Sequence, residues 1–274
     1  MTNSVRALWL LVALLPGALD VREGSALAMW VMWLVWSTVA VAVLVLHPLS
    51  LTAARFFSPA LTLHAAWNVA SSDEVNWAAV AGLAVLAIST ILMFGSRYGT
   101  VHAQASAYGH ERRHLLRPPV AVLLPLAVLW LLAVVAGAFA MYAASLPVAV
   151  AALVVWAALC YFTLRRALLL ARRWLVFVPA GIAVHDPLVL RDTFMVRDHD
   201  VRELRASHNE TQAFDATCTT WGSPLELVLA HPHDLSLSEF GARISDTLDR
   251  IHVTALLVAP SRAEQALQDR LARR

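Results

Sequence analysis

The sequence predicts a polytopic α-helical membrane protein of about six transmembrane helices, followed by a small β-rich domain that ends in a helix. Three observations lead there. The 274 residues are 59% hydrophobic and only 15% charged, whereas soluble domains run to about 45–50% apolar and about 25% charged residues. The apolar residues form long runs before residue 164 and short, mixed-polarity runs after residue 174. Between them, Leu164 to Pro187 carries Arg165, Arg166, Arg172 and Arg173. Basic residues beside membrane ends are retained in the cytoplasm, so this hinge places the following domain there.

The net charge of +2 says little by itself, but every one of the 21 basic residues is Arg, and those of the first half flank the apolar runs. The absence of Lys with abundant Ala, Val and Leu suggests GC-rich bacterial coding. Cys160 and Cys218 make no disulfide framework, since one lies in an apolar run and the other in a reducing cytoplasm.

The first span is expected at 7–19, with Pro16-Gly17 loosening its last turn. A second strongly apolar run follows closely, so Met1 to Leu19 reads as a retained helix and not as a cleaved signal peptide. The segment 26–46 is a charge-free span with Trp30, Trp33 and Trp36 on one face, as interfacial anchors would be. The segment 53–71 is apolar yet carries Ser58, Pro59, His64 and Asn68. Charge partition decides for it. With spans at 7–19, 26–46, 53–71, 76–95, 119–141 and 145–164, the cytoplasm receives Arg6, Arg55, Arg97, Arg112, Arg113, Arg117 and the four hinge arginines. The outside receives Arg22 with Asp20, Glu23, Asp73 and Glu74. Five spans would put a basic cluster outside. Six spans with both termini in the cytoplasm of a bacterial plasma membrane is the expectation, with domains at 1–170 and 171–274.

Beyond the hinge, Trp174 to Val178 and Ile182 to His185 read as strands joined by Pro179-Ala180-Gly181. Leu188 to Leu190, Thr193 to Arg197, Asp200 to Arg205, Ala213 to Thr220, Pro224 to Ala230 and His252 to Pro260 continue the pattern, and Leu235 to Arg250 reads as partly helical. Ser261 to Glu264 has the form of a capping box, opening a helix with Ala263, Ala266, Leu267 and Leu271 on one face and Arg270, Arg273 and Arg274 at its end.

Strands closed by one amphipathic helix resemble the pleckstrin-homology-like domains of bacterial membrane proteins. Arg172 to Gly181, His185-Asp186-Pro187, Tyr108 to Arg113 and Arg117-Pro118-Pro119 are similar to a family of uncharacterised actinobacterial integral membrane proteins with such a domain. That resemblance covers most of the chain and implies the PH-like fold; it brings no activity.

One motif looks catalytic. His110-Glu111-Arg112-Arg113-His114 fits HExxH, in which two His one helical turn apart bind zinc and the Glu activates water. The metzincin extension fails, because Arg117 and Val120 stand where Gly and His belong, and no further Glu appears before Glu203. His185-Asp186, Asp198-His199-Asp200 and His231-Pro232-His233-Asp234 read as surface or turn chemistry. Residues 174–260 hold more Asp and Glu than Arg, against nucleic-acid binding. The leading reading is a non-enzymatic scaffold or accessory subunit, without cofactor or metal, that binds a membrane or cytoplasmic protein through its cytoplasmic domain. Lipid or partner contact is expected at Arg112, Arg113, Arg117, Arg165, Arg166, Arg172, Arg173 and Trp174. The alternatives are anionic-lipid binding, a zinc protease at His110, Glu111 and His114, and transport along His64 and Asn68.

Overall fold

The computed structural model describes residues 1–15, 17–20, 26–208 and 211–273, apart from the side chains of 26 and 27. Arg22, Glu23 and Arg274, which figured in the charge partition and in the last helix, lie outside the described residues. The chain forms two units, Met1–His102 with Leu126–Leu168, and Ala103–Pro125 with Leu169–Arg274. The expected boundary near 170 is thus joined by an earlier one, because a piece before the last two helices belongs with the β-rich unit.

The helices are α1 (Thr2–Val12), α2 (Ala26–Leu44), α3 (Pro48–Ala70), α4 (Trp77–Phe94), α5 (Ser96–Gln104), α6 (Val120–Tyr142) and α7 (Leu146–Ala171). Among the described residues three of them, α4, α6 and α7, are long and apolar enough to cross a membrane, and Ala28–Leu44 is a shorter apolar helix. The expected helix at 7–19 is instead α1, of 11 residues. At 1.5 Å per residue it reaches only about 16 Å of a ~30 Å hydrocarbon core. It starts early because Val5, Trp9 and Val12 make a buried stripe. It stops before Gly17, whose φ of +82° suits glycine. Trp9 and Trp36 exchange hydrogen bonds, each indole N–H donating to the other's carbonyl at 3.2 and 3.1 Å. Trp36 therefore packs α2 on α1, while Trp30 is 69% exposed as an interfacial residue would be.

Arginines set the directions of these helices. Arg6 in α1 donates to the carbonyls of Val43 and Leu44 at the end of α2, at 2.9 and 3.1 Å. Arg55 in α3 donates to Met93 and Phe94 at the end of α4, at 3.0 and 3.5 Å. The last carbonyls of a helix lack an internal donor and carry the negative end of its dipole, so each guanidinium caps its neighbour. At the opposite end of the bundle His64 Nε2 lies 3.1 Å from the Asp20 carbonyl, to which Asn68 Nδ2 also donates. Successive helices α1 to α4 run antiparallel.

The second unit contains two four-stranded sheets. The first is ordered β1 (Arg112–Leu115), β2 (Trp174–Val178), β3 (Gly181–His185), β4 (Phe194–Arg197); the second is ordered β5 (Val201–Ala206), β7 (Leu225–Ser236), β8 (Arg250–Val258), β6 (Phe214–Asp215). Their inner faces share one core, including Phe177, Ile182, Val196, Leu227 and Leu256, which α9 (Ala263–Leu271) closes with Ala266. The alternation is visible in β4, where Phe194 and Val196 are buried and Met195 and Arg197 exposed. A short helix α8 (Glu239–Ile244) starts at Ser238, whose hydroxyl accepts from Gly241 N–H.

Several expected elements change for local reasons. Leu188 and Val189 form a turn, not a strand, because Asp186 Oδ1 accepts both their N–H groups at 3.2 and 3.3 Å; Leu190 keeps one bridge to Leu237. Of Ala213 to Thr220 only Phe214–Asp215 is strand, since Cys218 and Thr219 take φ of 51° and 61°. His231 to Asp234 lies inside β7, not in a turn; Pro232 brings no N–H to a ladder, and the pairing shifts register between Val228 and His233. The capping box is unmade, because Arg262 takes the cap position of α9 and Ser261 Oγ has no hydrogen-bond partner. Arg270, expected only to favour the helix end, is buried and holds Asp198 at 2.6 Å.

Candidate functional site

Arg112, Arg113, Arg117, Arg172, Arg173 and Trp174 belong to the β-rich unit, at the feet of α6 and α7, whereas Arg165 and Arg166 belong to the helical unit. β1 directly precedes α6, and β2 directly follows α7. The two strands pair antiparallel, Arg112 opposite Phe177 and Leu115 opposite Trp174. The strands and helices are thus one long hairpin, and residues 119 and 171 stand on the same side of whatever the helices traverse. The pairing continues past β1, where Leu116 N–H donates to Arg173 at 2.9 Å, Arg117 N–H to Ala259 at 2.7 Å, and Ser261 N–H to Leu115 at 2.8 Å. Residues 115–117 are therefore held on both flanks.

Arg173 and Asp186 form the centre of this root. Both side chains are 1% exposed, and Arg173 binds the carboxylate through two nitrogens at 2.8 and 2.6 Å. Its third nitrogen donates to the Arg117 carbonyl at 2.7 Å, tying the foot of α7 to the foot of α6. A bidentate guanidinium–carboxylate pair is geometrically specific, and this one has its remaining groups satisfied. Arg173 is consequently unavailable for lipid or partner.

Two more arginines are committed. Arg113 lies 4.7 Å from the Trp174 ring centre and 2.9 Å from Glu111. Burial pushes the Glu111 carboxyl up, but hydrogen bonds from Arg113 and the Tyr108 N–H hold it below its ordinary value. Trp174 stacks on His185, which meets Thr193 Oγ1 at 2.8 Å, so Arg113, Trp174 and His185 form a row across three strands. Arg117 donates to the carbonyls of Trp221 and Ser223 at 2.7 and 3.4 Å. Its partners belong to a loop also fixed by Val120 N–H on Thr219 at 3.1 Å and Thr220 Oγ1 on Pro118 at 2.9 Å. Trp221 leaves this loop 52% exposed, beside the first residues of α6. Burial pushes the Cys218 thiol in the same loop up to about 12, which keeps it protonated and unreactive at neutral pH. Arg112 and Arg172 are exposed on the β-rich unit, Arg165 and Arg166 on the helical one.

The HExxH residues do not converge. The motif needs a helix, but His110 sits in a turn and Arg112–Leu115 is strand, in which four residues span about 13 Å. Glu111 is held by Arg113, and His114, 2% exposed, places Nε2 3.1 Å from Asp269 on α9. Among the described residues no group of three His, Cys, Asp or Glu side chains is placed to hold a metal ion. His64 and Asn68 share one face of α3 as expected and bond the backbone carbonyl of Asp20, in the segment after α1. The loop of Trp221 escaped sequence reasoning; its Trp-Gly-Ser turn, with Gly222 at φ +74°, is the signal that marks it.

No protein-family model, curated protein or solved structure matches the chain.

Proposed function

We propose that the chain is a six-span integral membrane protein with both termini in the cytoplasm, and that it presents a PH-like domain there as a non-catalytic scaffold for a partner protein. The observation that carries this reading is the continuity of the α6–α7 pair with the β1–β2 pair, locked by Arg173 and Asp186. The alternating directions of α1 to α4, with Arg6 and Arg55 at one end, support the six-span topology. Among the described residues β4 is the last strand of the first sheet, and an extended segment of another protein can add to such an edge.

The test is photo-crosslinking in intact cell membranes, with a benzophenone side chain at Met195 or Arg197 on β4 and at exposed Glu264 as control. One discrete heterologous adduct of equal mass from both edge positions, absent from the control, is expected. No adduct from either edge position sinks the reading.

A second reading, contact with anionic lipid, is favoured by the exposure of Arg112, Arg165, Arg166 and Arg172. Each such charge gains about 1 kcal/mol beside an anionic leaflet. Phosphatidylglycerol in nanodiscs should protect the amides of β1 and the end of α7 from exchange, and about 0.5 M salt should remove that protection. Protection independent of headgroup charge removes this reading.

A further inference from the structure

Between α2, α3, α6 and α7 lies a cavity of about 870 Å³. Its walls are apolar, with Val31, Ala60, Trp130, Ala133 and Trp156 among them, and its polar residues, His64, Asn68, Ser71 and Tyr142, gather towards one end. Its floor is built. Phe56, Ala133 and Cys160 are buried together there, and Trp130 Nε1–H donates to the Phe56 carbonyl at 2.8 Å. Its side is open, because Trp67 and Leu153 on the lining are 72% and 51% exposed.

The depth of the groove identifies what fills it. From Trp130 at the floor to Tyr142 at the polar rim is twelve positions of α6, about 18 Å at 1.5 Å per residue. One leaflet of a ~30 Å hydrocarbon core is about 15 Å deep. The polar rim lies at the C-terminal ends of α3 and α6, the end of α6 remote from the basic root at residue 119. A laterally open apolar groove about as long as one leaflet is deep, closed at Phe56 and Trp130 and polar at its other end, has the form of a site for the acyl chains of a lipid. The volume lies within the usual range for organic ligands.

The charge at the rim selects the headgroup. Acidic side chains flank it. Among the described ones Asp20, Asp73 and Glu74 are exposed. An anionic headgroup is repelled there and an amine is attracted. We infer that this groove binds one molecule of a diacyl lipid with an amine headgroup, phosphatidylethanolamine, from the leaflet opposite the basic root. The site rests on the helices spanning the bilayer and is independent of any partner of the β-rich unit.

Native mass spectrometry of the delipidated full-length chain tests it, with phosphatidylethanolamine and phosphatidylglycerol of identical chains added back. One phosphatidylethanolamine per chain is expected, held about fivefold or more above phosphatidylglycerol. Ala60→Trp and Ala138→Trp fill the groove from α3 and from α6, and each should lower that occupancy ~tenfold. Phosphatidylethanolamine brominated on its chains should quench Trp67, Trp130 and Trp156 in the unsubstituted protein, which keeps the test independent of how the variants fold. Absence of a saturating one-lipid species, equal or better retention of phosphatidylglycerol, a lipid-free dimer, or wild-type occupancy in both folded variants overturns the inference. Two-sided labelling of a cysteine at Ala144 separates a failure of the spanning topology from a failure of the site.

Discussion

Removing the carboxylate of Asp186 should unfold the β-rich unit selectively. In Asp186→Ala the Arg173 guanidinium keeps its charge at 1% exposure and loses two bonds of 2.8 and 2.6 Å. Breaking a buried ion pair from one side costs about 3–5 kcal/mol, because an uncompensated charge is left behind. The turn at Leu188 and Val189 loses its side-chain acceptor as well, although Val189 N–H retains the Asp186 carbonyl at 3.2 Å. At about 4 °C per kcal/mol, where the ranges for smaller and larger domains meet, the midpoint should fall by roughly 12–20 °C. Replacing both partners with apolar residues, Arg173→Met with Asp186→Leu, removes the charge and should recover at least half of the loss; the Arg117 carbonyl then lacks its donor at a cost of about 1–3 kcal/mol. The assay is thermal unfolding of the full chain in nanodiscs, followed by amide exchange in β2 and β3 and completed as a double-mutant cycle. A single-variant shift under about 2 °C, or a double variant no better than the sum of the singles, refutes the assignment of this pair as the lock.

Acid should loosen the β-rich unit in two stages. Burial lowers the His114 pKa against the pull of Asp269, so the folded chain binds fewer protons there than the unfolded one, and stability falls as pH drops below about 6.5; His114→Phe should flatten that stage in a pH series of unfolding midpoints. Glu226 is held below its ordinary value by hydrogen bonds from Thr211 and Arg205, so its contribution is present above about 4.3 and is lost as pH falls further, a loss that Glu226→Gln should abolish. Gly241→Ala should destabilise by about 1–3 kcal/mol, measured by denaturant unfolding, because its Cβ would stand 2.2 Å from the Val189 carbonyl; an unchanged midpoint would show that α8 shifts freely. Arg117→Ala should raise amide exchange in residues 217–223 at least tenfold, since a hydrogen bond to a charged donor is worth about 1.5–3 kcal/mol, and unchanged exchange would deny Arg117 its role in holding Trp221.

The sequence is legible where a pattern is local. Trp174 to Val178 and Gly181 to His185 announce themselves by β-branched residues around Pro179-Ala180-Gly181, and the apolar runs of α4, α6 and α7 need nothing but their length. β1 is illegible for the opposite reason. Arg112-Arg113-His114-Leu115 has no apolar alternation, and it is strand only because β2, on the far side of two membrane helices, pairs with it. The same holds within the site. Arg172 and Arg173 are identical neighbours in sequence, yet one is exposed and the other buried, because only Arg173 faces a carboxylate thirteen residues on. Arg6 and Arg55 were read as topological charges, and their second task, capping the ends of α2 and α4, depends on packing that spacing does not encode. His64 and Asn68 fall on one face by their separation of four, while their shared acceptor, the Asp20 carbonyl, lies in the non-helical segment after α1, which spacing does not reveal.

The strand that precedes α6 also imposes an order on biosynthesis. β1 leaves the ribosome with an unpaired edge, and its partner follows only after α6 and α7 have been made, 59 positions later from Leu115 to Trp174. At ~5–20 residues per second that is a wait of about 3–12 s. During it the first sheet cannot close, and residues 112–115 are an exposed template for the wrong strand. The intervening α6 and α7 must return the chain to the side where β1 waits before β2 can reach it. Closure of the first sheet thus requires that residues 112–115 and 174–178 end on one side, and a chain whose α6–α7 segment leaves them on opposite sides keeps that edge open.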